Sequence, residues 1–369
     1  MTAGLKFAFF GSSLVSAYWN GAATYYRGII RALHQRGHRV SFFEPDAYDR
    51  QRHRDMDDPP WAEVRVYGIE GTAGVDQALE RAAGADVLVK ASGVGVFDEY
   101  LERAVLDAAG ADSLRVYWDV DAPATLERMR ADPNDSLRAL VPRYDLVLTY
   151  GGGHPVVDAY LGVGARRCVP IYNALDPETH HPMPADPRFA ASLGFLGNRL
   201  PDREARVEQF LFAAAERLPE ARFLLGGSGW EDKPRPPNVA YVGHVYTRDH
   251  NAFNCTPTAV LNISRDSMAR FGHSPATRVF EAAGAGACLI TDRWDGIEAF
   301  LEPEREVLVA DDGDQVAALL RALEPARARR IGERARARVL AQHTYAHRAA
   351  ELETVLDGED AAALRRAAP

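Results

Sequence analysis

The stretch HSPATRVFEAAGAGACLITD, residues 273–292, places an arginine and a glutamate inside a small-residue helix that runs into an apolar strand. Ser274 is predicted to cap this helix and Pro275 to occupy its first turn, where a missing N–H costs nothing. Gly284 and Gly286 predict the end of the helix, and ACLIT is typical of a buried strand. A helix that leads into a covered strand is a unit of a parallel α/β sheet.

The polar residues of this stretch suggest two different roles. Thr277, Arg278 and Glu281 fall within the first two predicted turns. The free N–H groups and the dipole at a helix start favour an anion, so one interpretation is a phosphate there and a sugar hydroxyl at Glu281. The other is an Arg278–Glu281 ion pair, three residues apart, on a solvated helix face.

The same strand, turn and helix pattern recurs along the whole chain. Strands are predicted at 6–12, 39–46, 85–95, 114–123, 144–153, from 166, and at 192–198, 221–229, 238–245, 258–264, 287–292 and 306–311. Helices are predicted at about 22–35, 201–217, 275–284, 313–323 and 324–356, and residues 47–64 are predicted to be loop. This alternation predicts two parallel sheets in tandem, each covered by helices on both faces.

The fold class predicted is therefore α/β, with two Rossmann-like domains. A polar, proline-rich stretch predicts the boundary, which gives an N-terminal domain at 1–182 and a C-terminal domain at 183–342. Residues 343–369 are predicted to form a helix that packs back on the N-terminal domain and ends in a frayed tail. Ligands bind at the carboxyl ends of such strands, so two facing domains are expected to form a cleft there.

Composition and charge exclude several protein classes. The 369 residues are 47% hydrophobic and 26% charged, and the net charge of −9 argues against a nucleic-acid partner. The three cysteines, Cys168, Cys255 and Cys288, have no metal-ligand spacing and are predicted to be buried thiols. No signal peptide and no apolar window of membrane-span length is found, so a cytoplasmic location is expected.

Familiar catalytic motifs are absent, and single polar residues at predicted strand ends take their place. FFGSSLVS stands where a dinucleotide fingerprint would follow the first strand, which argues against hydride transfer. The sequence also has no P-loop, no G-x-S-x-G elbow and no H-E-x-x-H. The strand-end candidates are Gly11–Ser13, Lys90, Asp119, Asp121, Gly151–His154, Gly197–Arg203, Gly226–Gly229, Gly243, His244 and the segment 273–281. Their occurrence in both halves fits a cleft.

These residues resemble a known family. SPATRVFEAAGAGACLITD, preceded by FLGNRLPDRE and VAYVGHV, resembles the donor half of GT-B glycosyltransferases, most of all the CgeB-like (spore maturation protein) group. LVKASGVG, YWDVDAP and IYNALDPETHHP resemble the acceptor half and the crossover of the same group. The resemblance spans roughly residues 5–355. It implies a GT-B fold, with the acceptor in the first domain and a nucleotide sugar in the second.

The resemblance implies a role for each donor-side residue. A glutamate at the Glu281 position accepts hydrogen bonds from the two ribose hydroxyls, which suits a carboxylate because it offers two acceptor oxygens. N–H groups near the helix start hold the diphosphate, and Arg199 or Arg203 supplies a cation for the leaving group. Gly243 and His244 lie where the nucleobase is held. The donor-binding set so implied is Gly197, Asn198, Arg199, Arg203, Gly243, His244, Ser274, Ala276, Thr277, Arg278 and Glu281.

One residue departs from the family pattern. Retaining enzymes of this kind carry Glu-x7-Glu, with Glu281 at the second position, and here His273 stands at the first. His273 is a candidate to contact a sugar hydroxyl or a phosphate, and the alternative is a loop histidine without a role. The substitution leaves the stereochemistry open, with retention the preferred course.

Asp119, Asp121 and His154 are the catalytic candidates on the acceptor side, together with His273. An inverting transferase needs a base for the acceptor proton, whereas a retaining one relies on the departing phosphate. The alternatives are helix capping for the two aspartates and a helix-start position for His154. The acceptor-side set is Gly11, Ser12, Ser13, Trp19 and Lys90; a buried lysine such as Lys90 is unusual unless it is paired.

The sequence therefore predicts a metal-independent glycosyltransferase without a cofactor. Its donor is expected to be a nucleoside-diphosphate sugar, with UDP preferred and TDP or GDP as alternatives, and its acceptor is unidentified. The absence of an acidic D-x-D on the donor side supports metal independence. The alternatives are a nucleotide-sugar 2-epimerase and a non-catalytic nucleotide-sugar-binding protein on the same scaffold. A monomer or a homodimer is expected.

Overall fold

The computed structural model describes residues 4–18 and 20–357. Trp19, a predicted acceptor-side residue, and the tail 358–369, predicted to fray, lie outside the described residues. The chain divides into two compact units. The N-terminal unit combines the chain up to Tyr172 with the chain from Tyr345 onward, and the C-terminal unit is Asn173–Thr344.

The described residues form alternating strands and helices. The strands, β1 to β13, are Lys6–Phe10, Arg39–Pro45, Glu63–Tyr67, Val87–Ala91, Leu114–Asp119, Leu146–Thr149, Cys168–Pro170, Leu193–Leu196, Phe223–Gly226, Val239–Gly243, Ala259–Asn262, Leu289–Asp292 and Leu308–Ala310. The helices, α1 to α14, are Ala23–Gln35, Ala73–Ala82, Asp98–Ala108, Ala122–Ala131, Ser136–Leu140, Gly153–Gly162, Glu204–Val207, Ala213–Arg217, Thr247–Cys255, Asp266–Phe271, Thr277–Gly284, Gly313–Ala322, Pro325–Gln342 and Tyr345–Asp357. A π-helical turn, Glu208–Phe212, joins α7 to α8.

The sheet of the N-terminal unit is wholly parallel, with strand order β3-β2-β1-β4-β5-β6-β7. All residues of β4 and β6 are buried, as expected where helices cover both faces of a parallel sheet. The strand order reverses between β1 and β4. This reversal is the switch point at which α/β sheets open a crevice outside their carboxyl ends.

The sheet of the C-terminal unit repeats this plan. Its order is β10-β9-β8-β11-β12-β13, again all parallel, and the reversal falls between β8 and β11. Read from its own first strand, this is the same 3-2-1-4-5-6 order, which is that of the dinucleotide-binding α/β fold. The prediction of two Rossmann-like α/β sheets is confirmed.

Helix α14 belongs to the N-terminal unit, although the chain reaches it last. It packs against α1, whose buried residues Tyr25, Ile29 and Leu33 lie four positions apart on one helix face. A Cβ atom on Gly28 would lie 2.1 Å from the ring of Tyr345, so only glycine permits this close approach of the two helices. The contact covers the apolar face of α1.

The structure corrects three sequence-based predictions of secondary structure. Strand β3 lies partly in the region predicted as loop. The predicted helix 324–356 is broken at His343 and Thr344, because His343 leaves the helical region and Thr344 bridges to Leu175. Ser274 does not cap α11, which begins at Thr277; instead, its hydroxyl donates to the carbonyl of Gly272.

None of the helices in the described ranges combines the length and the apolar character that a membrane span requires.

Candidate functional site

Glu281 lies in the middle of α11 and is 5% exposed. Its Oε2 is 3.2 Å from Nη1 of Arg278, and its Oε1 is 3.8 Å from Nε2 of His180. Among the described residues, no side chain or backbone group donates a hydrogen bond to this carboxylate. Glu281 is therefore a buried carboxylate in an ion pair with Arg278, and its two oxygens have room to accept further hydrogen bonds.

Two histidines from distant parts of the chain lie beside Glu281. His180 precedes the second sheet and His250 lies on α9, with the two rings 6.1 Å apart. Nε2 of His250 is 3.2 Å from the carbonyl oxygen of Val245, so this nitrogen carries the proton and Nδ1 carries the lone pair. Nδ1 of His250 and Nε2 of His180 are buried without a hydrogen-bond partner among the described residues.

Charge in this cluster is set by burial and by Arg278. Burial lowers the pKa of His180, and it lowers the pKa of His250 to about 4, so both rings are neutral near pH 7. Burial, the largest single effect, raises the pKa of Glu281, but Arg278 together with His180 and His250 outweighs burial and lowers that pKa to about 2. The cluster at neutral pH is thus one carboxylate, one guanidinium and two neutral imidazoles.

The side chains of this cluster are of the types that bind metal ions, but the positive charge of Arg278 disfavours a metal ion there. The ligand atoms of His180, His250 and Glu281 lie within 4.8 Å of one another. Imidazole and carboxylate suit zinc and related ions. The Arg278 guanidinium, 3.2 Å from Glu281, already holds a positive charge at the carboxylate and would repel a second cation. These groups fit the hydroxyls of a neutral polyol better than a metal ion.

The start of α11 is a place where an anion can bind. The N–H groups of Thr277 and Arg278 belong to the first turn and have no partner within the helix. The segment just before the helix is held by Asn173, whose Nδ2 donates to the carbonyl of Pro275 at 3.0 Å. Ala276 is the extended residue before the helix. Arg278 also reaches Oδ1 of Asn254 at 3.3 Å, so its guanidinium is held between Asn254 and Glu281.

The predicted arginines after β8 differ in their surroundings. Arg199 is held by two acids, with Nη2 2.8 Å from Glu204 and Nη1 2.9 Å from Asp232. Arg203 occupies the N-cap position of α7, and its Nη1 donates to the carbonyl of Asn198 at 3.4 Å. The charge of Arg199 is therefore matched by acids, and Arg199 and Arg203 both stay candidates to meet a diphosphate.

Gly197, Asn198, Gly243 and His244 lie together at the carboxyl ends of β8, β9 and β10. Oδ1 of Asn198 accepts from the N–H of Ser228 at 2.9 Å, and Nδ1 of His244 lies 3.3 Å from the Ser228 hydroxyl. Gly243 has a φ of +72°, a conformation that glycine adopts without strain. The turn at the end of β10 thus presents both backbone groups and an exposed imidazole.

His273 faces the loop after β12. Its φ of +46° is left-handed, and its N–H donates to the carbonyl of Asp295 at 2.6 Å. Its ring lies against Gly296, where an added Cβ would come within 2.1 Å of Nδ1. The position that carries the first glutamate of Glu-x7-Glu is therefore occupied here by a side chain packed on a neighbouring loop.

In the N-terminal unit, Asp119 and Lys90 are fully buried and fully engaged. Oδ1 of Asp119 accepts from the hydroxyls of Ser92 at 2.7 Å and Thr125 at 3.1 Å and from the Asp121 N–H, and Oδ2 accepts from the Tyr160 hydroxyl. Nζ of Lys90 lies 2.6 Å from Oδ1 of Asp98 and 2.7 Å from the Ala91 carbonyl. Both side chains hold the strand ends together.

The remaining candidates of this unit line the loops after β1, β5 and β6. The hydroxyls of Ser12 and Ser13 donate to Asn20 at 2.9 Å and Glu44 at 3.0 Å, while Gly11 N–H donates to the carbonyl of Phe43. Asp121 occupies the N-cap position of α4. His154 is exposed on the first turn of α6. The strand-end candidates therefore divide between the two units.

Sequence reasoning missed three residues of the Glu281 cluster. His180 lies within the stretch IYNALDPETHHP, which the sequence indicates as a domain boundary and crossover, and His250 and Asn254 lie on α9 outside any motif. Neither their spacing nor their residue type signals a site. Only the fold, which packs α9 against α11, brings them to Glu281.

Part of the chain matches a known family, and the whole chain matches solved structures. Residues 203–354 match the family described as Glycosyl transferase-like. Among curated proteins, none matches the chain in sequence. The family match confirms the prediction of a glycosyltransferase domain in the enzyme.

Three solved glycosyltransferase structures illustrate the similarity of fold. Sucrose-phosphate synthase from Thermosynechococcus elongatus is 14% identical, with a TM-score of 0.69, over 97% of this chain and 100% of that chain. HepE from Anabaena, in complex with UDP and glucose, is 14% identical, with a TM-score of 0.67, over 95% and 99%. An alpha-glucosyltransferase in complex with UDP and DNA is 12% identical, with a TM-score of 0.72, over 96% and 100%. These matches confirm the predicted GT-B fold; the CgeB-like subgroup stays a prediction.

Proposed function

We propose that the protein transfers a sugar from a nucleoside-diphosphate sugar to an acceptor hydroxyl, with the donor bound by the C-terminal unit. The observation that carries the proposal is Glu281, a buried carboxylate inside the family-matched region, which is paired with Arg278 and whose two oxygens can accept further hydrogen bonds. Two ribose hydroxyls supply the donors that such a carboxylate lacks. The complex of HepE with UDP and glucose makes UDP the first nucleoside diphosphate to test, with TDP and GDP as alternatives.

The leaving diphosphate is proposed to lie between the start of α11 and the loop after β8 that carries Arg199 and Arg203. Charge builds on the diphosphate as the glycosyl bond breaks, and N–H groups with a cation stabilise that charge. The protein supplies these groups from its own residues, so the proposed transfer needs no metal ion. The Arg278 guanidinium supports this proposal, because it opposes a further cation beside Glu281.

Retention of configuration is the stereochemical course we propose. Asp119 has no exposed surface and both of its oxygens are hydrogen-bonded, so it is poorly placed to take a proton from an acceptor. A retaining transferase avoids this need, because the departing phosphate takes the proton. If the reaction inverts instead, His154 and Asp121 are the candidate bases, and the anomeric configuration of the product, read by NMR, decides between the two courses.

The test is titration of UDP into the wild-type protein and the Glu281→Ala variant by calorimetry. Losing hydrogen bonds to a charged acceptor costs about 1.5–3 kcal/mol each, so UDP is expected to bind Glu281→Ala about a hundredfold more weakly. Glu333→Ala is the matched control, because Glu333 is an exposed glutamate on a helix of the same unit. Equal UDP affinity in the wild type and Glu281→Ala would refute the assignment.

The two arginines after β8 give a second, paired comparison. Arg203→Ala is expected to weaken UDP binding about tenfold, the effect of one lost charge-assisted hydrogen bond. Arg199→Ala is expected to change UDP affinity little, because Glu204 and Asp232 hold that guanidinium. The reverse ranking would show that the diphosphate lies on the other side of the loop.

A further inference from the structure

A buried arginine, Arg50, lies at the switch point of the N-terminal sheet. Its Nη1 donates to the carbonyl oxygens of Ser12 at 3.2 Å and Val94 at 3.5 Å. Ser12 follows β1 and Val94 follows β4, which are the neighbouring strands where the strand order reverses. The guanidinium thus bridges the two strand ends between which open α/β sheets bind their ligands.

The charge of Arg50 has no acidic partner in the described chain. The residue is 6% exposed, its Nε has no hydrogen-bond partner among the described residues, and no described carboxylate lies within ion-pair distance of its nitrogens. Glu44, a buried acid on β2, is held by Ser13, Leu14 and Gln51. The charge of Glu44 acts on Arg50 through space, but no described carboxylate contacts the guanidinium, so its Nε can donate to an anion from outside the described chain.

The turn that carries Arg50 is strained. Tyr48 and Asp49 are consecutive non-glycine residues with φ of +57° and +55°, a conformation that costs free energy and persists only where other contacts impose it. The Tyr48 hydroxyl donates to the carbonyl of Gly95 at 2.7 Å, and the Arg50 guanidinium lies 5.0 Å from the Tyr48 ring. The turn is therefore held against the end of β4 in the conformation that points Arg50 inward.

Two other buried or half-buried cations of this unit are paired with acids. Lys90 is paired with Asp98, and Arg27 is paired with Asp55 at 2.6 Å. Arg50 differs from both because its described partners are backbone carbonyls. Of these three cations, only Arg50 has no contacting carboxylate among the described residues.

We propose that the N-terminal unit binds an acceptor that carries an anionic group, a carboxylate or a phosphate ester, and that Arg50 holds this group. That the ligand is an acceptor rests on the proposed function, whereas the anion site itself is inferred from the surroundings of Arg50. A planar guanidinium suits both kinds of anion, because it offers two parallel N–H donors to two oxygens. The anion is bound and takes no part in the transfer.

The test is calorimetric titration of the wild type, Arg50→Gln and Arg52→Gln with glucose, glucose 6-phosphate and glucuronate, and with inorganic phosphate as a probe without a sugar ring. UDP is present at saturation to fill the donor site. Arg52 is the matched control, since it lies two residues away, is 84% exposed and pairs with Asp49. At least one anion is expected to bind the wild type and Arg52→Gln about tenfold to a hundredfold more tightly than it binds Arg50→Gln.

The probes also separate the two anions and the two proposals. Tighter binding of glucose 6-phosphate identifies the anionic group as a phosphate ester, and tighter binding of glucuronate identifies it as a carboxylate. Equal binding of glucose and both anions by the wild type overturns the proposal. Equal anion binding by Arg50→Gln and Arg52→Gln also overturns it. If Arg50→Gln fails to fold, Arg50→Lys decides, since it keeps the charge and loses the planar donors; unchanged anion affinity would overturn the assignment. UDP affinity, titrated separately, reports on the donor site alone.

Discussion

Replacement of Asp119 by alanine separates a structural role for this residue from the catalytic role that the sequence suggested. The carboxylate accepts hydrogen bonds from three hydroxyls and one N–H in a site with no exposed surface. Thr125 can turn to the Asp121 carbonyl at 3.3 Å, but the Asp121 N–H and the hydroxyls of Ser92 and Tyr160 would lose their acceptor. An unsatisfied buried donor costs about 1–3 kcal/mol, so we expect a loss of about 3–5 kcal/mol.

Thermal unfolding followed by circular dichroism measures this loss. For a unit of this size, each kcal/mol lowers Tm by about 2–4 °C, so Asp119→Ala is expected to lower the Tm of the N-terminal unit by about 10 °C. Asp119→Asn keeps one acceptor oxygen and the shape, and is expected to cost about 1–2 kcal/mol. Asp158→Ala, an exposed aspartate on α6, is the control and should leave Tm unchanged.

Activity per folded molecule completes the test. If Asp119 only holds strand ends, Asp119→Asn should retain most of its transfer rate below its Tm. A variant with unchanged Tm and a rate reduced by orders of magnitude would refute this reasoning and restore Asp119 as the base.

Three further predictions concern pH, packing and metal. Tm is expected to fall as the pH drops from 7 to 5, because the pKa of His250 is about 4 in the folded protein and about 6.5 in the unfolded chain. The stability that the neutral His250 contributes is complete above pH 6.5 and is lost as the pH approaches 4. His250→Gln should make Tm less dependent on pH over this range. Gly28→Ala should cost about 1–3 kcal/mol through overlap with Tyr345, measured by urea unfolding, whereas Gly162→Ala, with open space around it, should not. EDTA should leave the UDP affinity measured by calorimetry unchanged, and a loss that added magnesium restores would show that a cation is needed.

The fold could be predicted from the sequence because its strands are uniformly apolar. Runs such as LVLT and FLLG are buried on both faces and stand out from their surroundings. β3 could not be predicted in this way, because EVRVY is an edge strand that is mostly not buried, and its alternating charges resemble a loop. The prediction that Ser274 caps α11 is wrong because its hydroxyl donates a hydrogen bond to the Gly272 carbonyl in the same loop.

The candidate site could be predicted only where its residues are adjacent in sequence. Thr277, Arg278 and Glu281 share one helix, so their spacing allowed a binding site as one of two interpretations, beside a solvated ion pair. His180 and His250 approach Glu281 only through the packing of α9 and of the segment before the second sheet, which no local pattern encodes. Arg50 was missed for the same reason, since it lies in a stretch that reads as an ordinary charged loop.

The return of α14 to the N-terminal unit has a consequence for the order in which the protein is completed. Tyr345 fills the space over Gly28, and Glu353 pairs with Arg36 and His38, so these contacts join the start of the chain to residues that the ribosome adds more than 300 positions later. During synthesis the apolar face of α1 stays uncovered until α14 emerges. The C-terminal unit, which is continuous, can finish first, so the half that is translated first is expected to mature last.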